Sequence, residues 1–312
     1  MTALFITGAG VSKDSGIPTF RGEDGVWTIG SRHYTPQEMA TRAMYLQDPA
    51  QFLLWYFKRF AAYRDVAPNK VHFWLAQQCN SGAAQLITQN IDGLDGKAGN
   101  GDYISIHGRL DKMTRLHDQS RFDTRQIGAH ENLPLIRAPW DAVMDAVMEP
   151  GMNGGVEPGM GSGVGTGVAP AMHDAAALDA RLAALEALDS TRLIAALLDA
   201  CMIPRNGLVA GQPVMEQSLK PYVLLFDEYY TDLYRMTEAE EWMTTASQMV
   251  FMGTSFSVNI TMIALRTALQ NRVPITIVDP EPVDIEAMFG IPEGMADITY
   301  CPMTAEAWVE AQ

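Results

Sequence analysis

The chain has 312 residues and an acidic balance, with 22 lysines and arginines against 37 aspartates and glutamates and a formal net charge of −15. This charge argues against a nucleic-acid partner. It is compatible with a basic partner such as a lysine-rich peptide, although acidity also serves solubility. The three cysteines lie far apart and form no disulfide framework, and the sequence shows neither a leader segment nor an apolar run long enough to span a bilayer. We therefore expect a cytoplasmic protein without a membrane partner.

A short apolar strand, Ala3 to Ile6, is predicted near the start of the chain and runs into a turn of Gly8, Ala9 and Gly10. Glycines at the end of a strand let the backbone approach a pyrophosphate, and the N–H groups of a following helix can donate to it. Lys13 stands where the third glycine of the common fingerprint G-x-G-x-x-G would fall. The turn is therefore of a different phosphate-binding type.

Two further polar blocks follow predicted strands. After segments predicted to be helical at 36–64 and 72–78, an apolar strand leads into the block T-Q-N-I-D-G-L at 88–94, and the strand at 103–106 leads into His107-Gly108. Ligands of open α/β sheets bind at the carboxyl ends of the strands. The sequence therefore predicts that both blocks lie at one binding edge.

The middle of the chain has a different composition. Residues 151–170 contain eight glycines and no apolar period, which predicts a mobile loop. Residues 174–201 are rich in leucine and alanine at helical spacing, which predicts one or two packed helices.

Strands and helices alternate again in the C-terminal part. Strands are predicted near 222–226, 250–252 and 273–278, with a helix near 238–247. Such alternation predicts an α/β fold with a Rossmann-like, doubly wound parallel sheet. We assign residues 1–108 and 220–312 to this sheet domain and residues 109–219 to a smaller, modified helical lobe.

Residues 8–22, G-A-G-V-S-K-D-S-G-I-P-T-F-R-G, resemble the opening motif of the sirtuins, the NAD-consuming lysine deacylases. The block at 88–94, the pair His107-Gly108 and the triplet at 253–255 repeat the resemblance in the order of that family. The resemblance implies an NAD-dependent protein-lysine deacylase with NAD as co-substrate. Such a transferase takes an acyl-lysine protein or peptide and releases nicotinamide and O-acyl-ADP-ribose.

The resemblance also implies roles around the nicotinamide end of NAD. His107 would be the general base for a ribose hydroxyl, which suits an imidazole with a pKa near neutrality. Asp92, with the backbone of Ile91, would bind the nicotinamide amide. Asn90 would order the ribose or a water, and Gln89 would contact the ribose. From the residues alone, Asn90 and Asp92 are also typical of an Asx turn, and His107 of a hydrogen-bonded histidine at a strand end.

Further cofactor contacts follow from the same resemblance. Phe20 would cover the cleaved ribose, and Arg21 would help to position the cofactor and neutralise its charge. Asp279 stands where the family has Asn, and an aspartate can also accept hydrogen bonds from ribose hydroxyls. The residues expected along the phosphates and the adenosine ribose are Gly8, Ala9, Gly10, Ser12, Gly253, Thr254 and Ser255. For Ser12, capping of a helix N-terminus is an alternative interpretation.

The segment after Asp48-Pro49 carries Tyr56 and Arg59, in register with the Tyr-x-x-Arg of the sirtuin branch that removes succinyl, malonyl and glutaryl groups. A three-residue spacing puts both side chains on one helix face, and a guanidinium pairs bidentately with a carboxylate. The resemblance therefore implies an acyl-binding pair and a desuccinylase-like preference. The alternative is a tyrosine in the core beside a solvated arginine.

The chain departs from the family in its middle part. Most sirtuins carry two C-x-x-C pairs there that hold a structural zinc. In this sequence Cys201 is the only cysteine between His107 and Lys220. The histidines at 117, 130 and 173 fit no standard zinc spacing, so we expect no metal and a lobe held by helix packing. Asp227 also replaces the glycine of the family's peptide-facing Phe-Gly-Glu. A modified lobe leaves two alternatives open, an NAD glycohydrolase or ADP-ribosyltransferase on the same fold, and an idle module that binds NAD or ADP-ribose.

Overall fold

A computed structural model describes residues 2–18, 36–118, 133–147, 175–292 and 294–312. Phe20 and Arg21, the glycine-rich segment 151–170 and the histidines at 130 and 173 lie outside the described residues. The roles expected of these positions stay predictions.

The strands of the described residues are β1 (Ala3–Thr7), β2 (Ala84–Thr88), β3 (Ile104–Ser105), β4 (Gly108–Arg115), β5 (Ile136–Arg137), β6 (Arg205–Asn206), β7 (Val209–Ala210), β8 (Leu219–Val223), β9 (Gln248–Met252), β10 (Ile275–Val278) and β11 (Ile298–Cys301). The α-helices of the same residues are α1 (Pro36–Met39), α2 (Arg42–Gln47), α3 (Pro49–Phe60), α4 (Lys70–Asn80), α5 (Leu94–Lys97), α6 (Trp140–Val147), α7 (Ala175–Glu186), α8 (Ser190–Ala200), α9 (Met236–Thr245), α10 (Asn259–Asn271), α11 (Ile285–Phe289) and α12 (Ala305–Glu310). None of these helices is both long and apolar enough to cross a membrane.

The main sheet has six strands in the order β11-β10-β9-β1-β2-β3, and every neighbouring pair is parallel. Apolar side chains of α9 and α10 cover one face of it, and those of α4 and α12 cover the other. Because helices lie on both faces of a parallel sheet, the predicted doubly wound α/β fold is confirmed. Parallel order brings the carboxyl ends of β1, β2, β9 and β10 to one edge.

A second sheet of three strands, in the order β5-β4-β8, is antiparallel. The predicted strand near 222–226 is found as β8, which ends at Val223 and pairs with β4 rather than with the parallel sheet. Gly108 begins β4 with φ +87°, and a Cβ added there would overlap the carbonyl oxygen of Tyr222. Only glycine therefore allows β4 and β8 to approach so closely.

The helical lobe is built around α3, whose aromatic residues lie on one face. Asp48 caps its N-terminus by accepting from the backbone N–H of Gln51 at 3.0 Å, and Pro49 occupies the first turn. Phe52 and Phe57 are fully buried, and α3 packs against α7 and α8. Although α3 lies within the predicted sheet segment 1–108, its buried side chains share one cluster with those of α6, α7 and α8. The division at 108 and 220 stays a prediction.

Candidate functional site

The glycine turn after β1 lies directly against the loop after β9. Gly8 N–H donates to Met252 O at 3.0 Å, and Gly10 N–H donates to Gly253 O at 3.0 Å. A Cβ on Gly8 would lie 2.6 Å from Gly253 O, and one on Gly10 would lie 2.7 Å from Gly253 Cα. The three glycines are therefore required by backbone packing, which leaves the polypeptide bare at the edge of the sheet.

The turn continues into a helix, which is a 3-10 helix at Ala9–Ser15. Ser12 lies inside this helix, and Gly8, the residue at its N-cap, makes no side-chain cap. The interpretation of Ser12 as a helix cap is therefore wrong. Its hydroxyl is buried and turned towards the block at 88–94 instead.

Ser12, Asn90 and Asp92 form a buried hydrogen-bonded cluster. Ser12 Oγ donates to Asp92 Oδ2 at 2.7 Å. Asn90 Nδ2 donates to Ser12 Oγ at 3.1 Å and to Gly8 O at 2.9 Å. The cluster ties the end of β2 to the glycine turn. His72, which sequence reasoning did not select, joins it with Nε2 3.4 Å from Ser12 Oγ.

Asp92 is held on both carboxylate oxygens, because Oδ1 accepts from Leu94 N–H at 2.9 Å. The Asx turn considered from the sequence is thus present together with the contact to Ser12. Burial raises the pKa of Asp92, against the opposing hydrogen bonds from Leu94 and Ser12. A carboxyl group with these contacts is a fixed hydrogen-bonding group at the carboxyl edge of the sheet.

His107 follows β3 and lies beside Gln89, the first residue after β2. Its Nδ1 is 2.9 Å from Gln89 O, and its Nε2 is 2.9 Å from Tyr230 Oη. Burial lowers the pKa of His107 to about 4, against a smaller opposing effect of the hydrogen bond to Gln89. The imidazole is therefore neutral near pH 7, the form that can accept a proton. Tyr230 was missed by sequence reasoning, because it belongs to no recognisable motif.

The other predicted cofactor positions lie along the same edge. Gln89 Nε2 donates to Thr254 Oγ1 at 3.0 Å, and the backbone O of Ile91 accepts from Leu110 N–H at 2.7 Å. Ser255 follows Thr254 in the loop after β9, with its Oγ 2.6 Å from Ser257 Oγ. Asp279 begins the loop after β10, and its Oδ1 accepts from the backbone N–H of Glu281 at 3.0 Å. With Gly8, Ala9 and Gly10 in the first turn, these residues form one continuous row.

Tyr56 and Arg59 lie in the helical lobe. The Tyr56 ring is buried and stacks on Phe52 with centroids 6.0 Å apart, and its Oη is without a hydrogen-bond partner. Arg59 lies over the Trp55 ring at 5.3 Å, and its Nε is buried and also unpartnered. The tyrosine is therefore part of the core, as in the alternative interpretation, and the arginine is partly buried.

The described residues offer few donors for a structural zinc. Cys201 is fully buried, and burial raises the pKa of its thiol to about 12, which disfavours the thiolate that zinc requires. Across the described ranges, no three His, Cys, Asp or Glu side chains are placed to hold a metal ion. These residues do not fit the zinc site of the resemblance.

The fold and this edge together define an α/β protein whose candidate ligand-binding groups follow the carboxyl ends of parallel strands, the arrangement of nucleotide-binding sheets. The model of the Sir2 family matches residues 8–260. The chain belongs to the Sir2 family.

Curated relatives match part of the chain. An NAD-dependent protein deacylase 1 from Caldanaerobacter subterraneus subsp. tengcongensis is 38% identical over 137 residues, 44% of this chain and 52% of the relative. An NAD-dependent protein deacylase 1 from Archaeoglobus fulgidus is 42% identical over 106 residues, 34% of this chain and 42% of the relative. The chain thus spans about half the length of the curated relatives it matches.

Solved structures share the fold. A mutant Sir2 homologue in complex with ADP-ribose superposes with a TM-score of 0.60 at 21% identity, covering 99% of this chain and 89% of that one. A Sir2 homologue in complex with NAD gives a TM-score of 0.58 at 22% identity, covering 99% of this chain and 87% of that one.

Proposed function

We propose that the protein is an NAD-dependent protein-lysine deacylase. The observation that carries this proposal is that hydrogen bonds tie the glycine turn and a neutral His107 to the residues that follow β2. Ser12 Oγ is hydrogen-bonded to both Asn90 and Asp92, and His107 Nδ1 is hydrogen-bonded to the carbonyl oxygen of Gln89, the residue before Asn90. Membership of the Sir2 family and the names of the curated relatives support the same activity.

The residues at the sheet edge fit the co-substrate NAD. The glycines at 8, 10 and 253 keep side chains away from the backbone, which lets a pyrophosphate approach the first turn. Thr254, Ser255 and Asp279 offer hydroxyl and carboxylate groups to the adenosine ribose. NAD supplies a glycosidic bond to nicotinamide, and the cleavage of that bond activates the ribose towards an acyl-lysine carbonyl.

The remaining roles are those of this protein's own side chains. Asp92, which is buried beside Ser12, would hold the nicotinamide amide with the backbone of Ile91. Asn90, fixed by Gly8 O and Ser12, would order the ribose. His107 would take a proton from a ribose hydroxyl, which its neutral state permits.

We further propose that the acyl group is acidic, such as succinyl or malonyl. Two polar atoms support this preference: Tyr56 Oη and Arg59 Nε are buried without a partner. Buried polar groups are ordinarily hydrogen-bonded, and a carboxylate is an acceptor that either donor could use. A charge-assisted hydrogen bond contributes about 1.5–3 kcal/mol, which corresponds to roughly 10- to 100-fold in kcat/KM.

The test measures nicotinamide release from NAD alone and with matched acetyl-lysine and succinyl-lysine peptides. Release that requires a peptide and is followed by O-acyl-ADP-ribose formation supports the deacylase, and His107→Ala should abolish formation of that product. Release from NAD alone would favour the glycohydrolase alternative. Binding of NAD without release of nicotinamide would favour the idle module that binds NAD or ADP-ribose.

Acyl preference is tested in the same assay with Arg59→Met. The expected result is a roughly 10- to 100-fold loss of kcat/KM on the succinyl peptide with little change on the acetyl peptide. Lys58→Met is the matched control, because it removes the adjacent cation of α3, which contacts Glu186. Equal losses on both peptides would contradict the acidic-acyl pocket.

A further inference from the structure

Both ring nitrogens of His107 have partners of known hydrogen-bonding character. The partner of Nδ1 is the carbonyl oxygen of Gln89 at 2.9 Å, and a carbonyl oxygen only accepts. Nδ1 therefore carries the proton and donates it. In a neutral imidazole Nε2 then bears the lone pair, so the Tyr230 hydroxyl at 2.9 Å is the donor to it.

Tyr230 is suited to this role by its surroundings. Its ring lies 5.9 Å from the His107 ring, at an interplanar angle of 33°, and packs against the apolar cluster of the parallel sheet. Burial raises the pKa of the phenol to about 12. The hydroxyl is therefore protonated near pH 7 and able to donate.

The segment that carries Tyr230 is fixed by charged groups. Glu228 Oε2 accepts from Lys220 Nζ at 2.6 Å and from the backbone N–H of Leu225 at 3.1 Å. Asp227 accepts from the first two N–H groups of α2, those of Arg42 at 2.6 Å and Ala43 at 2.9 Å. These contacts lie two and three residues before Tyr230, so the chain is held in place by hydrogen bonds just before the tyrosine.

We propose that Tyr230 is a positioning residue for His107: it holds the imidazole as the neutral Nδ1–H tautomer and occupies the lone pair of Nε2 until a ribose hydroxyl replaces it. Nε2 has one lone pair, so Tyr230 and the ribose cannot both donate to it in line. The Tyr230 hydroxyl therefore occupies the position from which the ribose hydroxyl would donate to His107 Nε2. The part of the inference that concerns the ribose rests on the proposed function, whereas the tautomer does not.

The first experiment reads the tautomer in the free protein. Ring nitrogens of histidine-labelled protein are observed by long-range proton–nitrogen NMR near pH 7, and His107→Ala assigns the His107 signals among the six histidines. We expect the Nδ1–H tautomer and a change of the Nε2 shift in Tyr230→Phe. Tyr222→Phe is the control, because it removes a buried hydroxyl that donates to Leu233 O and should leave the His107 signals in place. An Nε2–H tautomer, or unchanged signals in Tyr230→Phe, would overturn the proposal.

The second experiment separates the step that uses the base from the step that does not. Exchange of labelled nicotinamide into NAD is compared with O-acyl-ADP-ribose formation for the same variants. In Tyr230→Phe product formation should rise by up to about tenfold while exchange stays within about twofold, because the ribose hydroxyl no longer has to displace the phenol from Nε2. Equal changes in both reactions would indicate a merely structural role, and unchanged product formation would show that Tyr230 does not occupy Nε2 before the ribose binds. Absence of peptide-dependent nicotinamide release in the wild type would refute the proposed function. The NMR spectra of the His107 ring would still show whether Tyr230 donates to Nε2.

Discussion

Lys220 and Glu228 form an ion pair whose side chains are both fully buried, and removing the cation is expected to destabilise the fold strongly. Lys220 Nζ donates to Glu228 Oε2 at 2.6 Å and to Val223 O at 3.1 Å. Burial alone would raise the pKa of Glu228, but the charge and hydrogen bond of Lys220 and the N–H of Leu225 outweigh it, and the pKa lies below its ordinary value. In Lys220→Met this carboxylate loses its nearest cation.

The expected loss in free energy of unfolding depends on the charges that remain around the Glu228 carboxylate. Breaking a buried ion pair by removing one partner costs about 3–5 kcal/mol. Arg42 Nη1 still lies 3.2 Å from Glu228 Oε1, so we expect the lower end of that range, about 3 kcal/mol. Changing both residues, in Lys220→Met with Glu228→Gln, removes the uncompensated charge and should recover a part of the loss.

Urea denaturation followed by tryptophan fluorescence measures the free energy of unfolding of the wild type, the two single variants and the double variant. Because the two side chains are in contact, the double-mutant cycle should show coupling. Lys70→Met is the control, since its ion pairs with Glu306 and Glu310 are exposed and its loss should change little. A loss below about 1 kcal/mol in Lys220→Met, or strictly additive variants, would refute the reasoning.

Two further predictions concern the residues at the start of β4. Gly108→Ala combines the overlap with Tyr222 O and a φ of +87°, and it should lower the free energy of unfolding by at least about 3 kcal/mol. Gly82→Ala is the control, because its φ of +76° with open space around the Cβ leaves only backbone strain. Equal losses of unfolding free energy in the two variants would disprove the clash. The pKa of His107 is about 4 in the folded protein and about 6.5 in an unfolded chain. Since the unfolded state binds this proton first as the pH falls, stability should decline between pH 6.5 and 4 by up to about 3 kcal/mol relative to His107→Gln, and parallel pH profiles of the two proteins would contradict this.

The sheet and much of its binding edge were predictable because their signals are local. Buried parallel strands are short apolar runs, and the polar blocks that follow them must lie at the carboxyl edge. For this reason Gly8, Asn90, His107 and Thr254 could be placed together before the fold was known.

Contacts between distant segments were not predictable in the same way. The predicted strand at 222–226 is an apolar run like the others, and nothing in its sequence indicates that the strand found there, β8, pairs antiparallel with β4. Tyr230 and His107 are 123 positions apart, and a tyrosine in a loop carries no pattern that names its partner. Arg59 lies on α3, which packs against α7 and α8 from another part of the chain, and its partial burial likewise has no sequence signal. The cytoplasmic location and the absence of nucleic-acid and membrane partners stay predictions.

The chain passes from the parallel sheet to the antiparallel one within two residues. Ile106 N–H donates to Thr88 O of the parallel sheet, whereas the carbonyl of His107 accepts from Leu224 N–H at the end of β8. Consecutive residues are thus hydrogen-bonded to different sheets, and a rotation of one sheet against the other would change the dihedral angles at 106–108. His107 therefore lies at the junction between the two sheets.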